Sequence, residues 1–230
     1  MASTSRAAQI STGLKKIQLR QNQRNYVETI TKNDITFCYG PAGTSKTFTA
    51  CYTALQMLHN KEIKEVVLCK PIQEAGEKLG HLPGDINDKV DPYMKSYKSN
   101  IEKIIGAELT KTLFDKKVIR FEPLAYMRGD TFDDALMILD EAQNATFEQI
   151  KMFITRIGKD SKAVINGDLR QSDLGKQQGG LHTCMEKLVE VSGVGVCELD
   201  YSDIVRSDIV SKILMRLNKK EDDDEPVKYF

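Results

Sequence analysis

The sequence predicts an α/β fold: a doubly wound, mainly parallel sheet with helices on both faces and a helical insertion. Three observations carry that expectation. Short apolar runs without polar alternation recur along the chain, which suits strands buried on both faces. Segments of helical periodicity fall between them, the order that parallel crossovers require. Several runs end at once in glycine-rich or acidic residues, at the edge where such sheets gather their ligands.

The strand-like runs are Ile35 to Tyr39, Val66 to Cys69, Val118 to Phe121, Leu136 to Leu139, Ala163 to Ile165 and Val194 to Leu199. Lys46 to His59 reads as a helix ending near Asn60, and Ile86 to Phe114 as an inserted helical portion with turns at Asp91-Pro92 and Gly106. Thr146 to Ile157 opens with Thr146 and Gln149 in capping-box spacing, then places Ile150, Phe153, Ile154 and Ile157 on one face. Leu181, Cys184, Met185, Leu188 and Val189 mark a last helix before Gly193.

A chain of 230 residues fits one domain with short appendages, and 40% hydrophobic with 29% charged residues excludes overall disorder or a disulfide-stapled scaffold. No apolar run approaches the roughly 18 to 20 residues of a membrane span. The first residues lack the apolar stretch of a secretory signal, so a reducing, cytoplasmic location and no membrane partner are expected. Cys38, Cys51, Cys69, Cys184 and Cys197 are widely spaced among apolar residues, without ligand spacing, and read as buried structural thiols. His59, His81 and His182 show no ligand spacing either.

The net charge is zero, but the charge is unevenly placed. Met1 to Val27 has no acidic residue and carries Arg6, Lys15, Lys16, Arg20 and Arg24, while Glu221 to Glu225 is wholly acidic. Such ends are commonly solvated, and a basic arm is also suited to touching nucleic acid. The resulting division is a basic arm over 1–20, one domain over 21–218 and an acidic tail over 219–230.

Gly40-Pro41-Ala42-Gly43-Thr44-Ser45-Lys46-Thr47 lies between a strand and a helix, the context a phosphate-binding loop needs. Backbone N–H groups of such a loop turn towards phosphates, helped by the positive end of the helix dipole. Lys46 is then the residue to reach the β- and γ-phosphates of ATP, and the Thr47 hydroxyl the one to sit on Mg2+. Ser45 stands where GxxxxGK[ST] has its last glycine, a departure that is unfavourable if the loop needs φ > 0 there. The second signal is Leu136 to Leu139 followed by Asp140 and Glu141, with Asp140 suited to the metal and Glu141 to polarising the attacking water.

Asp140-Glu141-Ala142-Gln143 and Gly167-Asp168-Leu169-Arg170-Gln171 resemble motifs II and III of superfamily 1 helicases. Together with Glu74 to Gly80, Leu82-Pro83-Gly84, Lys89 to Tyr93, Met127-Arg128-Gly129 and the loop Gly40 to Thr47, they resemble the PhoH-like ATPase family, in order from about Asn22 to Val210. The resemblance implies a P-loop, RecA-like core and ATP hydrolysis with Mg2+. It implies an adenine-reading role for Gln23, phosphate and metal roles for Lys46 and Thr47, metal and base roles for Asp140 and Glu141, and γ-phosphate sensing by Gln171. It places Arg206 in a finger position.

The function expected from these residues is an ATP hydrolase coupled to RNA or single-stranded nucleic acid, helicase-like in its motifs. One core domain leaves the γ-phosphate open on one side, so a homo-oligomer that completes the site is expected, and the resemblance implies a hexameric ring. The competing readings are a slow nucleotide-binding switch that moves nothing and, more weakly, a small-molecule phosphotransferase.

Overall fold

The computed structural model describes residues 13–71, 86–169 and 180–205 together with positions 209, 213 and 216, and over 86–92 the backbone alone. Its elements run α1 (Gln21–Lys32), β1 (Ile35–Tyr39), α2 (Lys46–Asn60), β2 (Glu65–Cys69), α3 (Ile86–Ile105), α4 (Ala107–Asp115), β3 (Ile119–Phe121), β4 (Ala135–Leu139), α5 (Phe147–Ile154), β5 (Lys162–Gly167), α6 (Gly180–Leu188) and β6 (Val194–Glu198). The strands form one sheet in the order β3-β2-β4-β5-β1-β6. Every pairing is parallel, from Val66 opposite Ile119 at one edge to Ile35 opposite Val194 at the other.

The unbroken apolar runs have the cause that the sequence implies, because both faces of the sheet are covered. Alternate residues Val66, Leu68, Leu136, Ile138 and Val164 enter one core with Tyr26 and Ile30 of α1, Leu55 of α2, Tyr97 and Ile101 of α3 and Leu113 of α4. Their neighbours Val67, Cys69, Met137, Leu139, Ala163 and Ile165 enter a second core with Ile150 and Phe153 of α5 and Leu181 and Cys184 of α6. All five residues of the central strand β4 are buried. The five cysteines are free and buried, in agreement with their apolar surroundings in the sequence. Among the described residues, no helix is long and apolar enough to cross a membrane.

Three local differences have physical reasons. Helix α3 runs through Pro92 without the turn that the Asp91-Pro92 pair suggests. The backbone bond lost at proline is outweighed by the buried stripe Tyr97, Ile101 and Ile104 further along, whereas the break expected at Gly106 is present. Helix α5 begins at the expected capping box, with Thr146 Oγ1 accepting from Gln149 N, but it stops at Ile154. The chain tightens through bonds from Arg156 to Phe153 and from Ile157 to Ile154, and Ile157 then bridges to Phe132. Lastly, the part of the basic arm from residue 14 onwards is not detached. Leu14, Ile17 and Leu19 pack on the first core, Lys15 N donates to Ile104 O, and Lys15, Lys16 and Arg20 face solvent.

Candidate nucleotide site

Strands β1, β4 and β5 all deliver their C-terminal ends to one place. The loop after β1 begins at Gly40, with φ +152°, where an added Cβ would lie 2.0 Å from the Leu199 carbonyl oxygen. Only glycine permits that approach, which the bonds Gly40 N to Gly167 O and Leu199 N to Tyr39 O hold in place. Further along, Thr44 is fully buried and its hydroxyl donates to Pro41 O at 2.9 Å, closing the loop upon itself. Lys46 Nζ donates to Gly40 O at 2.6 Å and Pro41 O at 2.9 Å, so its ammonium arches across the loop.

Ser45 adopts φ 68°, ψ 28°, the left-handed conformation that its glycine-consensus position implies, and its side chain makes no capping bond to the helix. The Ser45 carbonyl still accepts the first helical bond of α2, from Thr49 N. A serine therefore occupies a backbone state suited to glycine at the mouth of the loop.

The acid pair is split by its environment. Asp140 is 3% exposed, accepts from Thr47 Oγ1 at 2.8 Å and lies 3.6 Å from Lys70 Nζ. Burial raises its pKa above the ordinary carboxylate range, against the lowering influence of Lys70. Glu141 is exposed and held at φ 56°, ψ 37°, again left-handed. Its Oε2 accepts from Gln143 Nε2 at 2.7 Å, while Gln143 Oε1 accepts from Asp168 N at 3.0 Å. Gln143, 6% exposed, thus braces the second acid against the end of β5. A Cβ on Gly167 would come within 3.0 Å of that Oε1, so the glycine makes room for the brace.

These groups surround a cleft of about 380 Å3 lined by Ala42, Gly43, Ser45, Lys46, Thr47, Asp140, Glu141, Gln143 and Asp168, with Asn100 and Lys103 from α3. Gly40 and Pro41 line a neighbouring hollow of about 150 Å3 with Tyr39 and Tyr201. Gln23 lies beneath the loop, away from the cleft wall. It is 4% exposed, accepts from Arg20 N at 2.9 Å and donates to Thr44 O at 3.4 Å. The segment after β6 closes the same corner: Val205 N donates to Gly43 O, Asn22 Nδ2 to Asp203 Oδ2, and Arg20 to Ser202 O. Gln171 and Arg206 lie outside the described residues.

The sequence reading places Gln143 in a motif without assigning it a role, and it singles out neither Lys70 nor Lys103. Gln143 carried a signal in its place two residues after Glu141, and Lys70 in following a buried strand directly. The approach of Lys103 depends on how α3 packs, which no local pattern records.

Magnesium prefers hard oxygen ligands and is commonly held by one or two protein groups plus phosphates. Thr47 and Asp140 offer such a pair, 2.8 Å apart at the head of the cleft. Among the described residues, no cluster of three His, Cys, Asp or Glu forms a metal cage, which leaves this hydroxyl and carboxylate as a fitting partial site.

Comparison with known proteins agrees with this geometry. The family described as PhoH-like protein matches residues 16–218. The PhoH-like protein of Bacillus subtilis (strain 168) is 46% identical over 199 residues, 86% of this chain and 62% of its own. The protein PhoH of Escherichia coli (strain K12) is 35% identical over 195 residues, 84% of this chain and 55% of its own. The chain thus spans between about half and two thirds of the length of these relatives. Among solved structures, the large terminase of a thermophilic bacteriophage aligns with TM-score 0.51 at 13% identity, over 89% of this chain and 52% of its own. The UvsW helicase of bacteriophage T4 aligns with TM-score 0.50 at 13% identity, over 85% of this chain and 68% of its own. The fold is a P-loop NTPase core of the RecA-like kind.

Proposed function

Because the chain belongs to the PhoH-like protein family, we propose that it binds ATP with Mg2+ in this cleft and hydrolyses it, coupling turnover to RNA or single-stranded nucleic acid. The observation that carries the reading is the convergence of Lys46, Thr47, Asp140 and Glu141 on one cleft at the carboxyl end of the sheet. The helicase and terminase named among the structural neighbours favour the nucleic-acid half. A homo-oligomer, hexameric by resemblance, in a cytoplasm-like compartment completes it.

In this reading the loop amides and the start of α2 receive the phosphates. Lys46 leaves the loop carbonyls for the β- and γ-phosphate oxygens. Thr47 and Asp140 are the residues that would hold Mg2+, which when bound would supply positive charge to offset that of the phosphates. Glu141, oriented by Gln143, accepts the proton of the attacking water. Gln23 fixes the loop from below through Thr44, and its adenine-reading role remains part of the proposal. Gln171 is assigned to sensing the γ-phosphate and Arg206 to a finger completing a neighbour's site.

The slow-switch alternative draws on Ser45, whose strained conformation is an obstacle to fast turnover. One assay separates the two: phosphate release with and without single-stranded RNA and DNA, run beside a measurement of oligomer mass and a Lys46→Ala control. Stimulation by nucleic acid in an oligomer supports the proposal, and slow turnover indifferent to nucleic acid supports the switch. Full hydrolysis by folded Lys46→Ala refutes the site itself.

A further inference from the structure

Helix α3 is fixed against the sheet by Tyr97, Ile101 and Ile104, none more than 1% exposed. The i, i+4, i+7 spacing of these three sets the rotation of the helix. Ser96, Asn100 and Lys103 repeat that spacing one position earlier and so form an adjacent polar stripe. Both ends of the stripe reach the nucleotide site. Ser96 Oγ accepts from Lys70 Nζ at 2.8 Å, and Lys70 in turn lies 3.6 Å from Asp140. Asn100 and Lys103 line the same cleft as Lys46 and Thr47.

The charge around this cleft is unbalanced for a triphosphate. Its lining holds the carboxylates Asp140, Glu141 and Asp168, and besides Lys46 the one further cation among the described lining residues is Lys103. Among the described residues Lys103 makes no ion pair or hydrogen bond, so a bound anion would not have to displace a partner. A lysine on a long flexible stem suits such a task, because it meets phosphate as a point charge needing no fixed fork geometry.

We propose that Lys103, carried by the helical insertion, is a second cation for the terminal phosphate of the nucleotide and acts within the same chain. The insertion thereby closes part of the side that a single core domain leaves open. This inference rests on the ATP reading above and assigns Lys103 a phosphate-contacting role distinct from that of Lys46.

The test measures ATP and ADP affinities with Mg2+ in a Glu141→Gln background, which prevents turnover. The Lys103 variants are Lys103→Met and Lys103→Arg, with Lys46→Ala as control. One charge-assisted contact is worth about tenfold in affinity, so Lys103→Met is expected to weaken ATP about 10-fold and ADP less than about 2-fold. Lys103→Arg is expected to retain most of the preference for ATP. Lys103 is exposed, so its replacement does not threaten folding. An unchanged ATP-to-ADP ratio in Lys103→Met, or equal losses for both nucleotides, overturns the inference if Lys46→Ala still abolishes binding. A Lys103-intact protein that binds neither nucleotide refutes the ATP reading itself, and this inference with it.

Discussion

Ser45→Gly is the substitution whose outcome the structure fixes most sharply. Ser45 sits at φ 68°, ψ 28°, and its hydroxyl makes no capping bond. The left-handed state costs a residue with a Cβ about 1 to 2 kcal/mol, and glycine removes that cost. Against this, glycine gives the unfolded chain more freedom, a loss of about 0.4 to 1 kcal/mol. The balance is a gain of between about 0 and 1.6 kcal/mol, or up to roughly 6 °C in Tm for a domain of this size. Thermal unfolding by circular dichroism reads this directly, with Ser45→Ala as control: it keeps the Cβ and lacks the hydroxyl, so it is expected to melt like the wild type. ATP affinity and turnover are expected to rise or stay level in Ser45→Gly, because the backbone is relaxed where the proposed function brings phosphates. A lower Tm in Ser45→Gly would refute the strain argument. A stable Ser45→Gly protein with reduced activity would show instead that the hydroxyl serves the nucleotide.

Glu141→Gln is expected to keep ATP and Mg2+ binding while hydrolysis falls about 100-fold or more, whereas Asp140→Asn weakens the Mg2+ dependence; a magnesium titration of both variants checks this division of roles. Gln143→Leu removes the brace between Glu141 and Asp168 N, so kcat is expected to fall with little change in KM for ATP, at a stability cost of about 1 to 3 kcal/mol for the amide left without its acceptor; steady-state kinetics with thermal melts decide it. Replacing the exposed Lys15 and Lys16 by alanine is expected to reduce the slope of log affinity for single-stranded RNA against log salt by about 0.7 per lost phosphate contact, with basal hydrolysis unchanged. Mixed oligomers of Arg206→Ala and Glu141→Gln subunits, each inactive alone, are expected to regain some ATPase activity, and verified mixtures without recovery would remove the finger role.

The sheet was legible because parallel strands leave a strong local record. Runs such as Leu136 to Leu139 are apolar at every position only when both faces are buried, and each run named from the sequence became a strand within one or two residues. The placement of the loop and acid pair at strand ends was legible for a related reason, since each is a contiguous run directly after an apolar strand. What stayed hidden depends on contacts distant in sequence. The burial of Gln23 follows from α1 packing beneath Thr44, and the approach of Lys103 follows from how α3 lies against α2. The anchoring of residues 14–20 was hidden too, because three apolar side chains spread among basic ones resemble a solvated arm until the core they pack against is seen.

Backbone strain separates the two ends of the sheet. Six described residues other than glycine have positive φ: Ser45, Lys61, Lys117, Asp134, Glu141 and Asp160. Lys61, Lys117, Asp134 and Asp160 all lie in the turns that lead into strands, at the end away from the cleft. There the left-handed state serves topology. It ends α2 at Lys61 and reverses the chain just before β3, β4 and β5. Ser45 and Glu141 follow strands β1 and β4 instead, and both line the cleft. At that end a left-handed residue reverses the chain within a single position. This keeps the loop amides and the Glu141 carboxylate close to the strand ends that fix them. Strain of this kind persists only where surrounding contacts hold it, and here those contacts are the Ser45 carbonyl bonded into α2 and the Gln143 brace on Glu141. The two positions differ in what relief would do. In the proposed function, glycine at 45 frees a backbone that would receive phosphates, while glycine at 141 would discard the carboxylate assigned to the attacking water.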